Sequence, residues 1–220
     1  MNFDYAHKDT SEGERITPTA QFNIIELPEG IEKIRQSACA REIPVSDRET
    51  LTFLLTLLSA LQPRKILEIG TAVGVSAAAM LSVCPDAHIT TIEKSENFYN
   101  EAQENLKTLG KTQHVSAILG DAADILPTLD DSYDFIFLDG PKVQYVKYLP
   151  ELKRLLNAKG TLLADDVLLF GYVTGEEAVP KKRKMLVNHI KEYISAVTSD
   201  PEVYTTVINI GNGLALSVKK

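Results

Sequence analysis

The sequence predicts an α/β fold with a mostly parallel seven-stranded sheet, one antiparallel strand and helices on both faces. Three observations carry this prediction. From residue 64 onward, short apolar runs alternate with helical segments, as in parallel strands joined by crossover helices. A glycine-rich turn follows the first of these runs. The chain ends in two strand-like runs around Gly211-Asn212-Gly213, which indicates an antiparallel hairpin.

Length and composition favour one domain. The 220 residues are enough for one sizeable core, and no apolar run approaches the roughly 20 residues of a membrane helix. We expect an N-terminal arm over residues 1–27 and one cytoplasmic domain over 28–220, with no membrane partner. The net charge of −7 argues against a broad nucleic-acid surface and leaves a local basic patch open. Cys39 and Cys84 lack metal-ligand spacing, so we expect buried, reduced thiols.

The first part of the domain, residues 28–62, is predicted to form two helices. The first runs from Pro28, in its first turn, to Arg41. Residues 43–45 form an extended connector, because a residue that precedes proline avoids the helical region. Ser46 resembles an N-cap with Glu49 three residues later, a capping box. The leucine-rich helix that follows is apolar around most of its surface, so we expect it to pack against the sheet.

Residues 64–220 supply the sheet and its crossover helices. The predicted strands are 64–69, 88–92, 114–119, 133–138, 161–164, 202–209 and 214–218. The predicted helices are 74–84, 95–109, 122–128, 143–156 and 179–197. Five strand–helix units followed by a hairpin leave one strand antiparallel to the rest.

The turn after the first strand is a candidate ligand site. Glu68 lies near the end of the apolar run, Gly70 and Gly74 follow, and Ser76 begins a helix. A strand that passes through a glycine turn into a helix presents backbone N–H groups to the polar part of a ligand. The spacing is neither the dinucleotide Gly-x-Gly-x-x-Gly nor a lysine-bearing P-loop.

Acidic residues stand at the end of every strand in the parallel series. Ligands of such sheets lie beyond the carboxyl ends of the strands. Glu93, about 20 residues after Gly70, is placed to accept hydrogen bonds from ribose hydroxyls. Asp121 has two interpretations, an acceptor for an adenine amino group or a helix N-cap. Asp139 and the pair Asp165-Asp166 complete the series, which favours a ligand with a positive centre.

These motifs together resemble the cofactor fingerprint of class I S-adenosylmethionine-dependent methyltransferases. The matching motifs are Glu-x-Gly-x-x-x-Gly from Glu68, then Glu93, then Gly120-Asp121-Ala122. The resemblance implies a Rossmann-like methyltransferase fold with S-adenosylmethionine as cofactor. The cofactor-binding residues that it implies are Val45, Glu68, Gly70, Ser76, Glu93, Asp121, Ala122 and Asp139. A nicotinamide oxidoreductase and a non-catalytic binding protein remain as alternatives.

The second half of the chain resembles the divalent-metal-dependent O-methyltransferases of the catechol and caffeoyl-CoA type. Asp139-Gly-Pro-Lys142 and the later Asp165-Asp166 carry this resemblance. It implies Mg²⁺, or another hard divalent cation, held by Asp139, Asp165 and Asp166, with Lys142 and Asp139 as catalytic residues. This chain has Asp166 where the family usually has Asn. The alternative for Lys142 is a solvent-exposed lysine at a helix start.

Two acceptor classes satisfy such a site, since each offers two neighbouring oxygens to one cation. One is a small catechol-like or phenylpropanoid molecule. The other is 5-hydroxyuridine at the wobble position of tRNA. Residues 43–45, residues 177–184 and the ending from Ile210 resemble the bacterial tRNA 5-hydroxyuridine methyltransferases, which favours tRNA.

A basic run offers a candidate tRNA contact. Lys181, Lys182, Arg183 and Lys184 are predicted in the first turn of a helix, where cations oppose the helix dipole. Phosphate groups would offset that cost, while the alternative is a solvated charged turn. Relatives of this fold are often dimers, so we expect a homodimer by analogy.

Overall fold

The computed structural model describes residues 24–220, and it confirms the predicted fold class. Seven strands form one sheet in the order β3-β2-β1-β4-β5-β7-β6. Strand β7 is antiparallel to both of its neighbours, and every other neighbouring pair is parallel. The strands are β1 Lys65–Ile69, β2 His88–Glu93, β3 Val115–Leu119, β4 Tyr133–Leu138, β5 Leu156–Ala164, β6 Val203–Ile208 and β7 Leu214–Lys219.

Seven α-helices accompany the sheet in this part of the chain. They are α1 Glu29–Ala40, α2 Arg48–Leu61, α3 Val75–Val83, α4 Glu96–Thr108, α5 Ala122–Ile125, α6 Tyr145–Leu155 and α7 Lys184–Ser199. Within residues 24–220, no helix combines the length and apolar character that crossing a bilayer requires. Most of the predicted N-terminal arm lies outside the described residues. Cys84 is buried, but Cys39 is exposed on α1, so the prediction of two buried thiols is wrong for Cys39.

Both faces of the sheet are buried, which explains the unbroken apolar runs of its central strands. Successive side chains of β4 point to opposite faces: Phe135 and Phe137 pack with α1, α2 and α3, while Ile136 and Leu138 pack with α6 and α7. All four are fully buried. The prediction that the leucine-rich helix α2 packs on the sheet is confirmed, since Leu54 and Leu58 are buried there.

The predicted cap of α2 is wrong by one residue. Asp47, not Ser46, is the N-cap, and its Oδ1 accepts a hydrogen bond of 2.7 Å from the Thr50 amide. The Ser46 hydroxyl instead donates to the carboxylate of Asp139. Glu49 does not close a capping box, because its Oε2 accepts from the amide of Gly211. Ser46 and Asp47 are both suitable N-cap residues, so the local pattern alone does not decide between them. The tertiary contact of Ser46 with Asp139 decides it.

Strand β5 is longer than the sequence predicts. It begins at Leu156 rather than at residue 161, and its pairing with β4 jumps from Leu156 to Thr161. The intervening residues bulge out of the ladder, with Lys159 at a positive φ of 64°. Gly160 marks this bulge, whereas the sequence pattern suggested that it precedes the strand.

Gly70 fixes the contact between β1 and β4 at the carboxyl edge of the sheet. Its φ is +100°, and a Cβ atom at this position would lie 2.3 Å from the carbonyl oxygen of Asp139. Such a distance is far inside van der Waals contact. Glycine is therefore required both for the backbone conformation and for the close approach of the Asp139 backbone.

We predict that Gly70→Ala destabilises the fold far more than Gly110→Ala. Both substitutions place a Cβ at positive φ, which costs about 1–2 kcal/mol. Only the first meets backbone atoms, since a Cβ at Gly110 has no atom within 4 Å. Thermal unfolding should show a loss of Tm for Gly70→Ala at least about twice that of Gly110→Ala. Equal losses would contradict the packing described for Gly70.

Candidate active site

Backbone hydrogen bonds between adjacent strands continue past the carboxyl ends of β1, β4 and β5. The amide of Gly70 donates to the Ile92 carbonyl at 3.0 Å, that of Asp139 to Ile69 at 2.9 Å, and that of Asp165 to Leu138 at 3.0 Å. The sheet hydrogen bonding therefore continues to the first residue after each strand. As the sequence predicts, the glycine turn, Asp139 and Asp165 lie side by side at one edge.

Glu68 is a fully buried carboxyl group beneath the glycine turn. Its Oε2 accepts a hydrogen bond of 2.6 Å from Thr91, whose hydroxyl is also 2.5 Å from that of Thr71. Its Oε1 makes no hydrogen bond of standard geometry within residues 24–220. Burial raises the pKa of Glu68 to about 7, although the hydroxyls of Ser76 and Thr91 lower it. A positively charged ligand group above this carboxyl would stabilise its ionised form.

Glu93 joins the end of β2 to the glycine turn. Its Oε2 accepts from the Ala72 amide at 2.9 Å, and its Oε1 accepts from the Ser95 amide at 2.7 Å. Each carboxylate oxygen retains acceptor capacity after one hydrogen bond. The side chain is only partly buried. Its position at the end of β2 agrees with the prediction, and ribose binding by Glu93 stays a prediction.

Asp121 is the N-cap of α5. Its Oδ1 accepts from the Ala123 amide at 2.9 Å, and its Oδ2 lies 2.7 Å from the ammonium of Lys94. The capping interpretation is therefore confirmed, and Lys94 holds the pKa of Asp121 below its usual value. A contact with adenine stays a prediction. The neighbouring residue Ala122 begins α5 and is buried.

The two other cofactor candidates lie on the elements that frame the turn. Ser76 is the second residue of α3, two residues after Gly74, and is buried. Val45 is half-buried in the connector before α2, next to Ser46. Ser46 reaches Asp139, so this connector lies over the same edge of the sheet.

Lys142 is buried between two carboxylates. Its ammonium lies 2.7 Å from Oδ1 of Asp139 and 2.9 Å from Oδ2 of Asp166. The side chain is only 8% exposed, so the alternative of a solvated lysine is wrong. Burial disfavours the charged form, but Asp139 and Asp166 outweigh it and raise the pKa of Lys142 well above its usual value. Lys142 is therefore a cation that donates hydrogen bonds.

The first turn of α2 and the residue before its N-cap also contact the carboxylates. The Ser46 hydroxyl donates to Oδ2 of Asp139 at 3.0 Å, and the Thr50 hydroxyl donates to Oδ1 of Asp165 at 3.3 Å. Burial, and then the Asp166 charge, raise the pKa of Asp165 well above its usual range. Sequence reasoning missed both hydroxyl contacts. No local signal indicated them, because Ser46 precedes the N-cap Asp47 and so lies outside the helix.

The terminal hairpin turn holds the loop that carries Asp166. The amides of Val167 and Leu168 donate to the carbonyls of Gly213 and Asn212, at 2.9 and 2.8 Å. A Cβ at Gly213 would lie 2.3 Å from Leu168, so the turn needs glycine there. The motif around Gly211-Asn212-Gly213 thus has a structural role in the site.

The candidate metal ligands have the chemistry that a hard divalent cation prefers, because Asp139, Asp165 and Asp166 offer only oxygen atoms. Their excess of negative charge over the single ammonium of Lys142 also favours a cation. However, no three His, Cys, Asp or Glu side chains within residues 24–220 converge on one point as ligands. The Lys142 ammonium lies between Asp139 and Asp166 instead.

The basic run flanks the loop after β5. Residues Lys181–Arg183 form a 3₁₀ turn, and Lys184 begins α7. The guanidinium of Arg183 stacks at 5.5 Å from the Phe170 ring and 5.8 Å from the Tyr172 ring. Arg183 therefore ties the turn to the loop, while Lys181 and Lys184 are exposed. Contact with tRNA stays a prediction.

A comparison with protein families decides the class of this site. The profile of the O-methyltransferase family matches residues 23–220, nearly the whole chain. The chain belongs to the O-methyltransferase family. The methyltransferase is 28% identical over 207 residues to a caffeoyl-CoA O-methyltransferase of Populus kitakamiensis, covering 90% of this chain and 87% of that one. It is 31% identical over 139 residues to a catechol O-methyltransferase of Mycobacterium tuberculosis, covering 60% of this chain and 63% of that one.

Solved structures agree with this assignment. A proposed caffeoyl-CoA O-methyltransferase from Staphylococcus aureus is 34% identical with a TM-score of 0.81, over 88% of this chain and 93% of that one. TomG of Streptomyces achromogenes, an O-methyltransferase solved in complex with S-adenosylmethionine, is 26% identical with a TM-score of 0.79, over 92% and 94% of the two chains. The nicotinamide and non-catalytic alternatives are set aside for this methyltransferase.

We predict that Glu68 makes the stability of the methyltransferase fall with pH. A carboxyl with a pKa of about 7 when folded and 4.5 when unfolded stabilises the fold fully below pH 4.5, and this stabilisation is lost as pH rises through 7. The loss amounts to about 3 kcal/mol. In urea unfolding from pH 4 to 8, the free energy of unfolding of the wild type should therefore fall by this amount relative to that of Glu68→Gln.

Glu26→Gln, which removes an exposed carboxyl group, provides the control variant. A constant free-energy difference between wild type and Glu68→Gln across this range would contradict the burial argument.

Proposed function

We propose that this methyltransferase transfers a methyl group from S-adenosylmethionine to one of two neighbouring oxygens of its acceptor, with a hard divalent cation such as Mg²⁺ at the site. One observation carries the proposal. The backbone of Asp139 packs directly on Gly70, so the glycine turn and the carboxylate cluster form one continuous site. A methyl donor held by the turn would lie next to an acceptor held at the cluster.

The acidic lining supports the choice of cofactor. Glu68 lies under the turn, and Glu93 links β2 to Ala72 within it. Carboxylates attract a ligand that combines ribose hydroxyls, an amino group and a sulfonium. S-adenosylmethionine has all of these groups, and the related methyltransferase TomG was solved with it.

The residues that would hold the divalent cation are Asp139, Asp165 and Asp166. When bound, such a cation lowers the pKa of an acceptor hydroxyl and fixes its position. Lys142 supplies a buried ammonium that donates a hydrogen bond to a developing oxyanion. The Ser46 and Thr50 hydroxyls orient the carboxylates, and burial around Lys142 keeps water from competing with the acceptor.

The names of the relatives favour a small acceptor. The curated proteins most similar to this chain include caffeoyl-CoA and catechol O-methyltransferases. Their substrates by name carry vicinal oxygens on an aromatic ring, and two such oxygens are suited to chelate one cation. A catechol-like or phenylpropanoid molecule is accordingly the first candidate acceptor.

A second candidate is 5-hydroxyuridine in the wobble position of tRNA, whose product is 5-methoxyuridine. The observation that favours it is the exposed basic turn beside the loop that carries Asp166. Lys181 and Lys184 present ammonium groups to solvent there, as phosphate binding requires. The O4 and O5 atoms of 5-hydroxyuridine are neighbours, so the same cation would serve this acceptor.

We predict that removing divalent cations lowers methyl transfer at least about a hundredfold, because a Lewis-acid cation contributes several kcal/mol. The assay uses labelled S-adenosylmethionine with catechol, caffeoyl-CoA and tRNA that carries unmethylated 5-hydroxyuridine. Asp139→Asn should show the same loss with Mg²⁺ present. Asp131→Asn, on an exposed side chain, is the matched control. Full activity in a chelator would overturn the cation-dependent mechanism.

For the tRNA candidate, we predict that Lys181→Ala/Lys184→Ala weakens tRNA binding and flattens its salt dependence. Each lost phosphate contact reduces the slope of log K against log salt by about 1. A control variant, Lys33→Ala/Lys191→Ala, removes two exposed lysines from other surfaces. If both variants bind tRNA with equal affinity and equal salt dependence, the tRNA candidate fails and the small molecule remains as the acceptor.

A further inference from the structure

We propose that the Lys142 ammonium and the divalent cation compete for the same carboxylates, so that cation binding releases Lys142 toward the acceptor oxygen. The inference rests on the proposed use of a divalent cation. It adds a coupling between metal loading and the position of Lys142. It also gives a role to Asp166, at which this chain differs from the usual family pattern.

The geometry shows that the ammonium occupies the position between the two carboxylates. Lys142 bridges Oδ1 of Asp139 at 2.7 Å and Oδ2 of Asp166 at 2.9 Å. The other oxygen of Asp139 already accepts from Ser46 at 3.0 Å. The oxygen of Asp139 that has no hydroxyl partner is thus the one that Lys142 occupies. A cation bound by Asp139 and Asp166 together would meet the ammonium at close range.

Electrostatics makes joint occupancy costly. Two cations held within a few ångströms repel strongly where solvent is excluded, and Lys142 is only 8% exposed. Metal binding requires the three carboxyl groups in their ionised form, and a single ammonium leaves their combined charge incompletely neutralised. A divalent ion neutralises more of this charge than the ammonium does, so exchange of one for the other is favoured once the metal is available.

Tyr145 forms a rigid wall beside the ammonium of Lys142. The Nζ atom lies 5.9 Å from the centre of the Tyr145 ring. Tyr145 is fixed by hydrogen bonds to the carbonyls of Leu138 at 2.9 Å and Asp165 at 3.2 Å, and by an edge contact with Tyr193. The flexible four-carbon stem of Lys142 lets its ammonium change position by side-chain rotation alone.

Asp166 strengthens the competition. An asparagine at this position would offer an amide oxygen in place of a charged carboxylate, so Lys142 would keep only one charged partner. The carboxylate of Asp166 thus holds the ammonium in place until a cation displaces it. In the absence of added cation, Lys142 should therefore be more accessible to reagents in Asp166→Asn than in the wild type.

The test measures cation affinity directly, by calorimetric titration of the full chain with Mn²⁺. Removal of the competing ammonium in Lys142→Met should tighten binding about tenfold or more. Lys147→Met, which removes an exposed lysine one turn later, should bind like the wild type. Equal or weaker Mn²⁺ binding by a folded Lys142→Met protein would overturn the competition.

A second measurement needs no substitution at Lys142. Acetic anhydride labelling followed by mass spectrometry should modify Lys142 several-fold faster in wild-type protein saturated with Mn²⁺, with Lys147 as internal reference. Labelling of Lys142 that is unchanged or slower on Mn²⁺ addition would overturn the proposal. If neither the wild type nor Lys142→Met binds Mn²⁺, the competition is also overturned. A different result, methyl transfer that persists in a chelator, overturns the proposed function.

Discussion

Buried carboxyl groups at the carboxyl edge of the sheet are the constraint on which the rest of the site depends. Glu68 and Asp165 are almost fully buried, and Asp139 and Asp166 stand beside them. Buried carboxylates destabilise a fold unless hydrogen bonds or counter-charges compensate them. The surrounding chain supplies that compensation through hydroxyls from β2 and α2, through backbone amides and through the ammonium of Lys142. The same charges make the edge suited to a sulfonium cofactor and to a divalent cation.

Much of this arrangement follows from the sequence, because periodicity and strand order place the ends of parallel strands together. The alternation from residue 64 predicts the sheet, and the acidic strand ends predict a shared edge. Glu68, Gly70 and Asp139 lie there as expected, since the ladder continues past each strand. Gly70 could be identified because its role depends on the backbone conformation of the turn after β1, and the glycine spacing in the sequence indicates that conformation.

The rest depends on contacts between residues distant in the chain. Ser46 was expected to cap α2, but its hydroxyl binds a carboxylate 93 residues away, and the adjacent Asp47 caps instead. The burial of Lys142 between two carboxylates requires the loop after β5 to fold back, which the hairpin turn enforces through Asn212 and Gly213. The stacking of Arg183 on two rings has no signal in local sequence. No periodicity reports such contacts, because they form only when separate elements dock.

The central claim is that the methyl donor and a divalent cation occupy neighbouring positions at this edge. The most direct measurement is nuclear relaxation of ¹³C-methyl-labelled S-adenosylmethionine bound to the protein, with and without paramagnetic Mn²⁺. The account predicts strong relaxation enhancement of the methyl carbon, which is lost when Asp139 and Asp165 are replaced by Asn. A methyl signal unaffected by Mn²⁺, under conditions in which both the cofactor and Mn²⁺ are bound, would contradict it.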